Sequence, residues 1–144
     1  MRTATLTLYG IALLTASPAS EVHPSTWTPL AHKPSVNSIG TMVLLTDGSV
    51  MMESYDDIQT WIKLTPDAKG GYVNGTWSTL AKMRTPRLYF ASQVMQNGKL
   101  WVMGGEYTGP YQDANWGPEA EIYDPRTNTW SDAATYRRRR VVRP

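Results

Sequence analysis

The stretch Tyr89–Tyr107, YFASQVMQNGKLWVMGGEY, decides how this chain is read. Asn97-Gly98 lies between two apolar runs. The pair is a strong hairpin signal, because a two-residue type I′ turn needs φ > 0 at both central positions. Before it, Phe90, Ala91, Val94 and Met95 mark one strand. After it, Leu100-Trp101-Val102-Met103 is continuously apolar, the pattern of a strand buried on both faces. The run stops at Gly104-Gly105, where missing side chains let the chain turn sharply or another backbone come close. A lone hairpin is at best marginally stable in water. This one is therefore expected to be part of a larger unit that repeats.

The repeat is visible. Trp27 opens WTPLA and Trp77 opens WSTLA, 50 residues apart. Asp47-Gly48 follows Trp27 at the distance at which Asn97-Gly98 follows Trp77, so the register holds without a gap. Met42–Leu45 and Val50–Met52 flank the first turn as the two apolar runs flank the second. Each hairpin is followed by a loop and a second pair of short strands. In the second copy these are Glu119–Tyr123, ending at Asp124-Pro125, and a strand opening at Thr129-Trp130. In the first copy they are Gln59–Leu64 and, after the Gly-rich connection 68–75, Thr76-Trp77-Ser78. No sustained 3.6-residue apolar stripe is present in the body, so the expected fold class is all-β.

With Asn97-Gly98, Gly104-Gly105, Tyr123-Asp124-Pro125 and Trp130 in this order, the second copy resembles a kelch-repeat β-propeller of the galactose oxidase central-domain type. The period of about 50 residues fits that class. Leu80-Ala81-Lys82-Met83 through Arg87 resembles the link between kelch blades. The first copy departs from the pattern: Ser54-Tyr55 replaces Gly-Gly, and Leu64-Thr65-Pro66-Asp67 replaces Tyr-Asp-Pro. The resemblance covers residues 27–132 and implies an incomplete propeller of about two four-stranded antiparallel blades. Gly98, Gly104 and Gly105 are expected to serve close approach. Trp77, Tyr123 and Trp130 are expected to pack between neighbouring sheets, each burying roughly 150–250 Å². The expected division is an export signal at 1–19, a linker and lead-in strand at 20–38, an atypical first blade at 39–80, a kelch blade at 81–132 and an Arg-rich, disordered tail at 133–144.

Propellers close with about 4–8 blades. Two blades cannot close a ring, so the chain is expected to be a piece of a longer one, or to self-associate through the apolar blade faces and edges it leaves exposed. Arg2 followed by Leu6, Leu8 and Ile11–Leu14, then Ser17-Pro18-Ala19, reads as a leader, which places the protein outside the cell or in the periplasm. No other apolar run approaches the about 18 residues of a membrane helix, so no membrane span is expected. Zero Cys excludes a disulfide framework and thiolate metal sites. The formal net charge is +2, and five arginines between 137 and 143 account for its sign. The basicity belongs to the tail, and no nucleic-acid partner is expected.

The galactose oxidase resemblance implies a copper-radical site of Tyr and His ligands with a Tyr–Cys cross-link. The chain has no Cys, and its two histidines, His23 and His32, lie before the first hairpin. No catalytic residue, metal ligand or cofactor is expected here. The alternative is the N-terminal piece of such an oxidase, with its site in other blades. Glu53 with Asp56-Asp57 reads as a solvated turn rather than a cation site. Glu119 and Glu121, two apart on one strand face, read as solvent-facing rather than as a glycosidase pair. The best candidate site is the loop Glu106–Pro118, EYTGPYQDANWGP. Tyr107, Tyr111 and Trp116 could stack on a sugar or peptide, with Glu106, Gln112, Asp113 and Asn115 as hydrogen-bonding partners. Non-catalytic binding of a protein or carbohydrate ligand is the expected function.

Overall fold

A computed structural model describes residues 26–135. The leader-like residues and the Arg137–Arg140 run lie outside the described residues. Two four-stranded antiparallel sheets follow one another along the chain. The first blade comprises β1 (Ile39–Leu44), β2 (Val50–Ser54), β3 (Trp61–Thr65) and β4 (Thr76–Thr79), paired in that order. The second comprises β5 (Ala91–Val94), β6 (Leu100–Met103), β7 (Ala120–Asp124) and β8 (Thr129–Ala133). The only helical element among the described residues is a short 3-10 turn at Pro110–Gln112. β8 reaches Ala133, one residue into the span read as tail.

Both hairpin turns differ from the two-residue type I′ form expected. Met95 and Lys99 are the last hydrogen-bonded pair, and Gly98 N donates to Met95 O at 2.9 Å. The loop is Gln96-Asn97-Gly98, with only the Gly at positive φ, 81°. That is a type I turn closed by a left-handed glycine, the three-residue alternative for strands of this twist. Asn97 is not forced to φ > 0 because its own Oδ1 accepts from Lys99 N at 3.1 Å and fixes the turn locally. Asp47 does the same for Ser49, at 2.9 Å, and Gly48 also has φ 81°. A Cβ on Gly98 would stand 2.8 Å from Thr46 Oγ1 in the other blade's turn, so its small size also serves blade contact.

The core lies in the seam between the sheets. Met51 and Trp61 of the first blade meet Leu100, Val102 and Tyr123 of the second, joined by Leu45, Leu80 and Met83. Phe90, Val94 and Trp130 close its margin. Trp61 packs against Phe90 and Trp130 with ring centroids 6.1 and 5.9 Å away, and Trp130 against Tyr123 at 5.2 Å. Tyr123 and Trp130 both lie in this seam, and the Trp130 Nε1 proton goes to Ala81 O at 2.9 Å. The β6 run is not equally buried on both faces. Leu100 and Val102 are fully buried against the first blade, while Trp101 and Met103, pointing to the other side, are only partly covered.

Trp77 takes a different place from Trp130. It lies on the far side of the first blade, in a second cluster with Met52, Ile62 and Leu64, covered by Val36 and Ile39. The lead-in segment is tied down there: Trp77 Nε1 donates to His32 O at 3.0 Å, and Ala31 N donates to Val73 O at 2.7 Å.

The glycine pair acts at the blade link. Gly104 and Gly105 have φ 70° and 106°. A Cβ on Gly105 would come 2.7 Å from Leu88 O. Leu88 and Glu106 form a bridge at that point. Just beneath, Arg87 is fully buried and its Nη1 donates to Gly104 O and Glu119 O at 3.0 and 2.7 Å. Its Nη2 meets Glu121 Oε1 at 2.6 Å. Glu121 is therefore not solvent-facing, as its spacing from Glu119 suggested, but 1% exposed. The reason is the link segment folding over the sheet: Arg84 N and Thr85 N also donate to this carboxylate, at 2.8 and 3.1 Å. A buried charge is tolerable when paired and hydrogen-bonded in this way.

Candidate functional site

Antiparallel pairing sends the loops to two opposite ends of the blades. One end holds the tight turns at 45–49, 95–99 and 124–128 and the connection 65–76. The other holds the loop 55–60, the link 80–90 and the long loop between β6 and β7. Exposed aromatics concentrate at this second end: Tyr55, Tyr89, Tyr111 and Trp116. So do most of the non-glycine residues with positive φ: Ile58, Tyr89, Tyr107, Tyr111 and Gln112. Such conformations persist only where surrounding contacts impose them, and they gather at ligand clamps and switch regions.

The long loop is built from its base outward. Glu106 and Leu88 exchange backbone hydrogen bonds of 2.8 and 2.9 Å, which anchors the loop's start to the blade link. Thr108 N and Oγ1 both donate to Asn115 O, at 3.3 and 3.2 Å, and Asn115 Nδ2 donates to Thr108 Oγ1 at 3.3 Å. These contacts close the loop into an Ω-like excursion. Gln112 Nε2 reaches the first blade, donating to Asp57 O at 3.1 Å. The loop therefore straddles both blades.

Of the residues singled out from sequence, Tyr111 and Trp116 are presented to solvent, 98% and 64% exposed. Asp113 is exposed beside them, while Tyr107 and Glu106 are half-buried at the neck. Asn115, expected to meet a ligand, instead spends its amide on Thr108 and holds the loop shut. Tyr55 and Tyr89 extend the exposed aromatic surface and were missed by sequence reasoning. Each flanks a strand end on the same side as the long loop.

The loop 55–60 is not the solvated turn expected. Asp57 Oδ1 accepts from Gln59 N and Thr60 N, and its Oδ2 accepts from Thr60 Oγ1 and Lys82 Nζ at 2.6 and 2.7 Å. Burial opposes ionisation there, yet the Lys82 and Thr60 hydrogen bonds hold its carboxyl well below the usual range. Glu53, at the end of β2, is fully buried facing the seam. Burial pushes its carboxyl up to about 7. Two acids of one short acidic stretch are thus opposite in character, because one caps a turn and the other faces the neighbouring blade.

The copper set implied by the galactose oxidase resemblance does not fit these residues. The chain has no Cys, His32 is exposed in the lead-in, and no group of three or more His, Cys, Asp or Glu among the described residues could hold a metal ion. No helix among them is long and apolar enough to cross a membrane.

Residues 87–135 match the Kelch motif family. An F-box/kelch-repeat protein of Arabidopsis thaliana is 48% identical over 56 residues, 38% of this chain and 15% of that protein. The solved structure of YjhT superposes with a TM-score of 0.54 and 26% identity, covering 72% of this chain and 28% of that one. A fungal alcohol oxidase of the AA5 family, in complex with copper, gives a TM-score of 0.47 and 28% identity over 65% of this chain and 18% of that one. The chain spans a small part of the length of each of these proteins.

Proposed function

We propose that this chain, whose residues 87–135 match the Kelch motif and whose two described sheets are propeller blades, is a non-catalytic binding module whose ligand, a protein segment or a glycan, docks on the loop end. The observation that carries this reading is the exposure of Tyr111 and Trp116 on a loop tied to both blades. A large ring left in water costs free energy unless something covers it, and a preformed loop loses little further entropy on binding. Tyr89 and Tyr55 widen the surface beside it, and Asp113 and Gln112 supply polar contacts. The leader-like sequence at residues 1–19 supports export of the module.

The test uses the chain immobilised against an oligosaccharide array and a random peptide array. A hit is expected from one of them, and Trp116→Ala with Tyr111→Ala is expected to weaken it at least 10-fold while leaving the thermal midpoint unchanged. Binding that survives the double substitution would place the ligand elsewhere and overturn the reading.

A further inference from the structure

The loop end carries an uneven charge. In its three segments, 55–60, 80–90 and 104–119, the basic side chains are Lys82, Arg84 and Arg87. Each already has a carboxylate. Lys82 Nζ pairs with Asp57 Oδ2 at 2.7 Å, and Arg84 Nη1 with Asp132 Oδ2 at 3.0 Å. Arg87, buried, is held by Glu121. Asp56, Glu106, Asp113 and Glu119 are left without a basic partner among the described residues. Asp56 accepts from the neutral Asn37, N and Nδ2, at 2.9 and 3.3 Å. Glu119 Oε2 is buried at the loop's neck with no hydrogen-bond partner among the described residues.

These carboxylates are interleaved with the exposed rings. Asp56 follows Tyr55, and Asp113 lies between Tyr111 and Trp116. Glu106 bridges Leu88, the chain neighbour of Tyr89. Gln112 Nε2, bonded to Asp57 O at 3.1 Å, holds the Tyr111–Asp113 segment against the loop that carries Tyr55 and Asp56. Aromatic ring faces are negative and attract cations. An uncharged ligand covering this surface would strip water from the carboxylates and return no opposite charge. An anionic one would be repelled. A guanidinium or ammonium group answers both features at once, by ion pairing with the carboxylates and by stacking on the rings.

We infer that the partner of this surface is a protein segment bearing arginine or lysine, seated on Tyr111 and Trp116 and paired with Asp113 and Glu106. The inference rests on the binding reading above and narrows its ligand to a cationic peptide. The contributing carboxylates stand at or near the surface, where salt screens them. Affinity for such a segment therefore falls as salt rises.

Fluorescence anisotropy of a short labelled peptide alternating arginine and glycine, titrated with the full chain, tests this. A citrulline counterpart keeps the side-chain shape and removes the charge. The arginine peptide is expected to bind at least 10-fold more tightly than the citrulline peptide. Asp113→Asn with Glu106→Gln is expected to abolish that difference with unchanged far-UV circular dichroism, while Trp116→Ala weakens both peptides. Should the double variant not fold, Asp113→Asn alone, at an exposed position, is expected to narrow the difference several-fold. Equal binding of the two peptides, lost in Trp116→Ala, overturns the cationic assignment and leaves the loop-end reading standing, as does an oligosaccharide that binds there where the arginine peptide does not. Arginine-peptide binding indifferent to all three substitutions overturns both. Binding that emerges only when Arg137–Arg140 are replaced by serine assigns the surface to the chain's own arginines and overturns the partner.

Discussion

Glu53 has one carboxyl oxygen, Oε1, buried with no partner, and the other takes a single long bond of 3.4 Å from Thr41 N. Burial raises its pKa from 4.5 to about 7, against the hydrogen bonds from Thr41 and the positive charge of Arg87, and with some help from Asp57. The folded state therefore holds a proton that the unfolded chain releases near pH 4.5. Stability contributed by this group is fully present below the unfolded value and is lost as pH rises toward 7. At about 1.4 kcal/mol per unit, the loss is on the order of 3 kcal/mol. Glu53→Gln, which keeps the shape of the protonated acid, is expected to flatten the pH dependence and to raise stability at pH 7.5 by about 2–3 kcal/mol. Urea midpoints of both proteins at pH 5 and pH 7.5 check this; equal pH slopes would refute it. The alternation of β2 could not reveal this burial. A period of two says which residues share a side, but not which side another blade will cover.

At the scale of elements, the glycines separate into two kinds. Gly48 needs its freedom only for backbone conformation, φ 81°, with nothing within 4 Å of an added Cβ. Gly105 needs it twice, at φ 106° and with Leu88 O only 2.7 Å from the Cβ site. Gly48→Ala is expected to cost about 1–2 kcal/mol and Gly105→Ala about 3 kcal/mol or more. Thermal unfolding of the two variants should rank them in that order, and the reverse order would show that the Gly-Gly segment can shift without penalty. The hairpins were legible from Asp47-Gly48 and Asn97-Gly98, but the turn type was not. Whether the polar residue or only the glycine adopts positive φ depends on the side-chain bond from Asn97 or Asp47, which competes locally with a two-residue turn.

At the scale of the molecule, the seam is the shared core of both blades, and Trp61 is its largest side chain, buried against Phe90 and Trp130. Trp61→Ala is expected to lower stability by about 3–5 kcal/mol and to uncouple the blades. Unfolding followed by near-UV and far-UV circular dichroism should coincide in the parent chain and separate in the variant. Coincident transitions in Trp61→Ala would show that the link residues alone keep the blades cooperative. Trp61 was not among the aromatics assigned a packing role from sequence, because it stands where the second copy has Ala120 and the repeat offered no matching residue to point to it. Trp77 and Trp130 looked alike in the repeat, yet one faces the lead-in segment and the other the seam.

By itself, the sequence determined the repeat, the eight-strand meander and the position of the glycine link, because these follow from local turn chemistry and spacing along one chain. Only the tertiary structure decided the rest. It buried Arg87 with Glu121, left Glu53 facing the seam, tied Ala31 and His32 to the first blade and left Tyr111 and Trp116 in water. Each of these depends on what lies on the other side of a sheet, and that is set by segments distant in the chain, such as Arg87 and Glu121 at a sequence separation of 34.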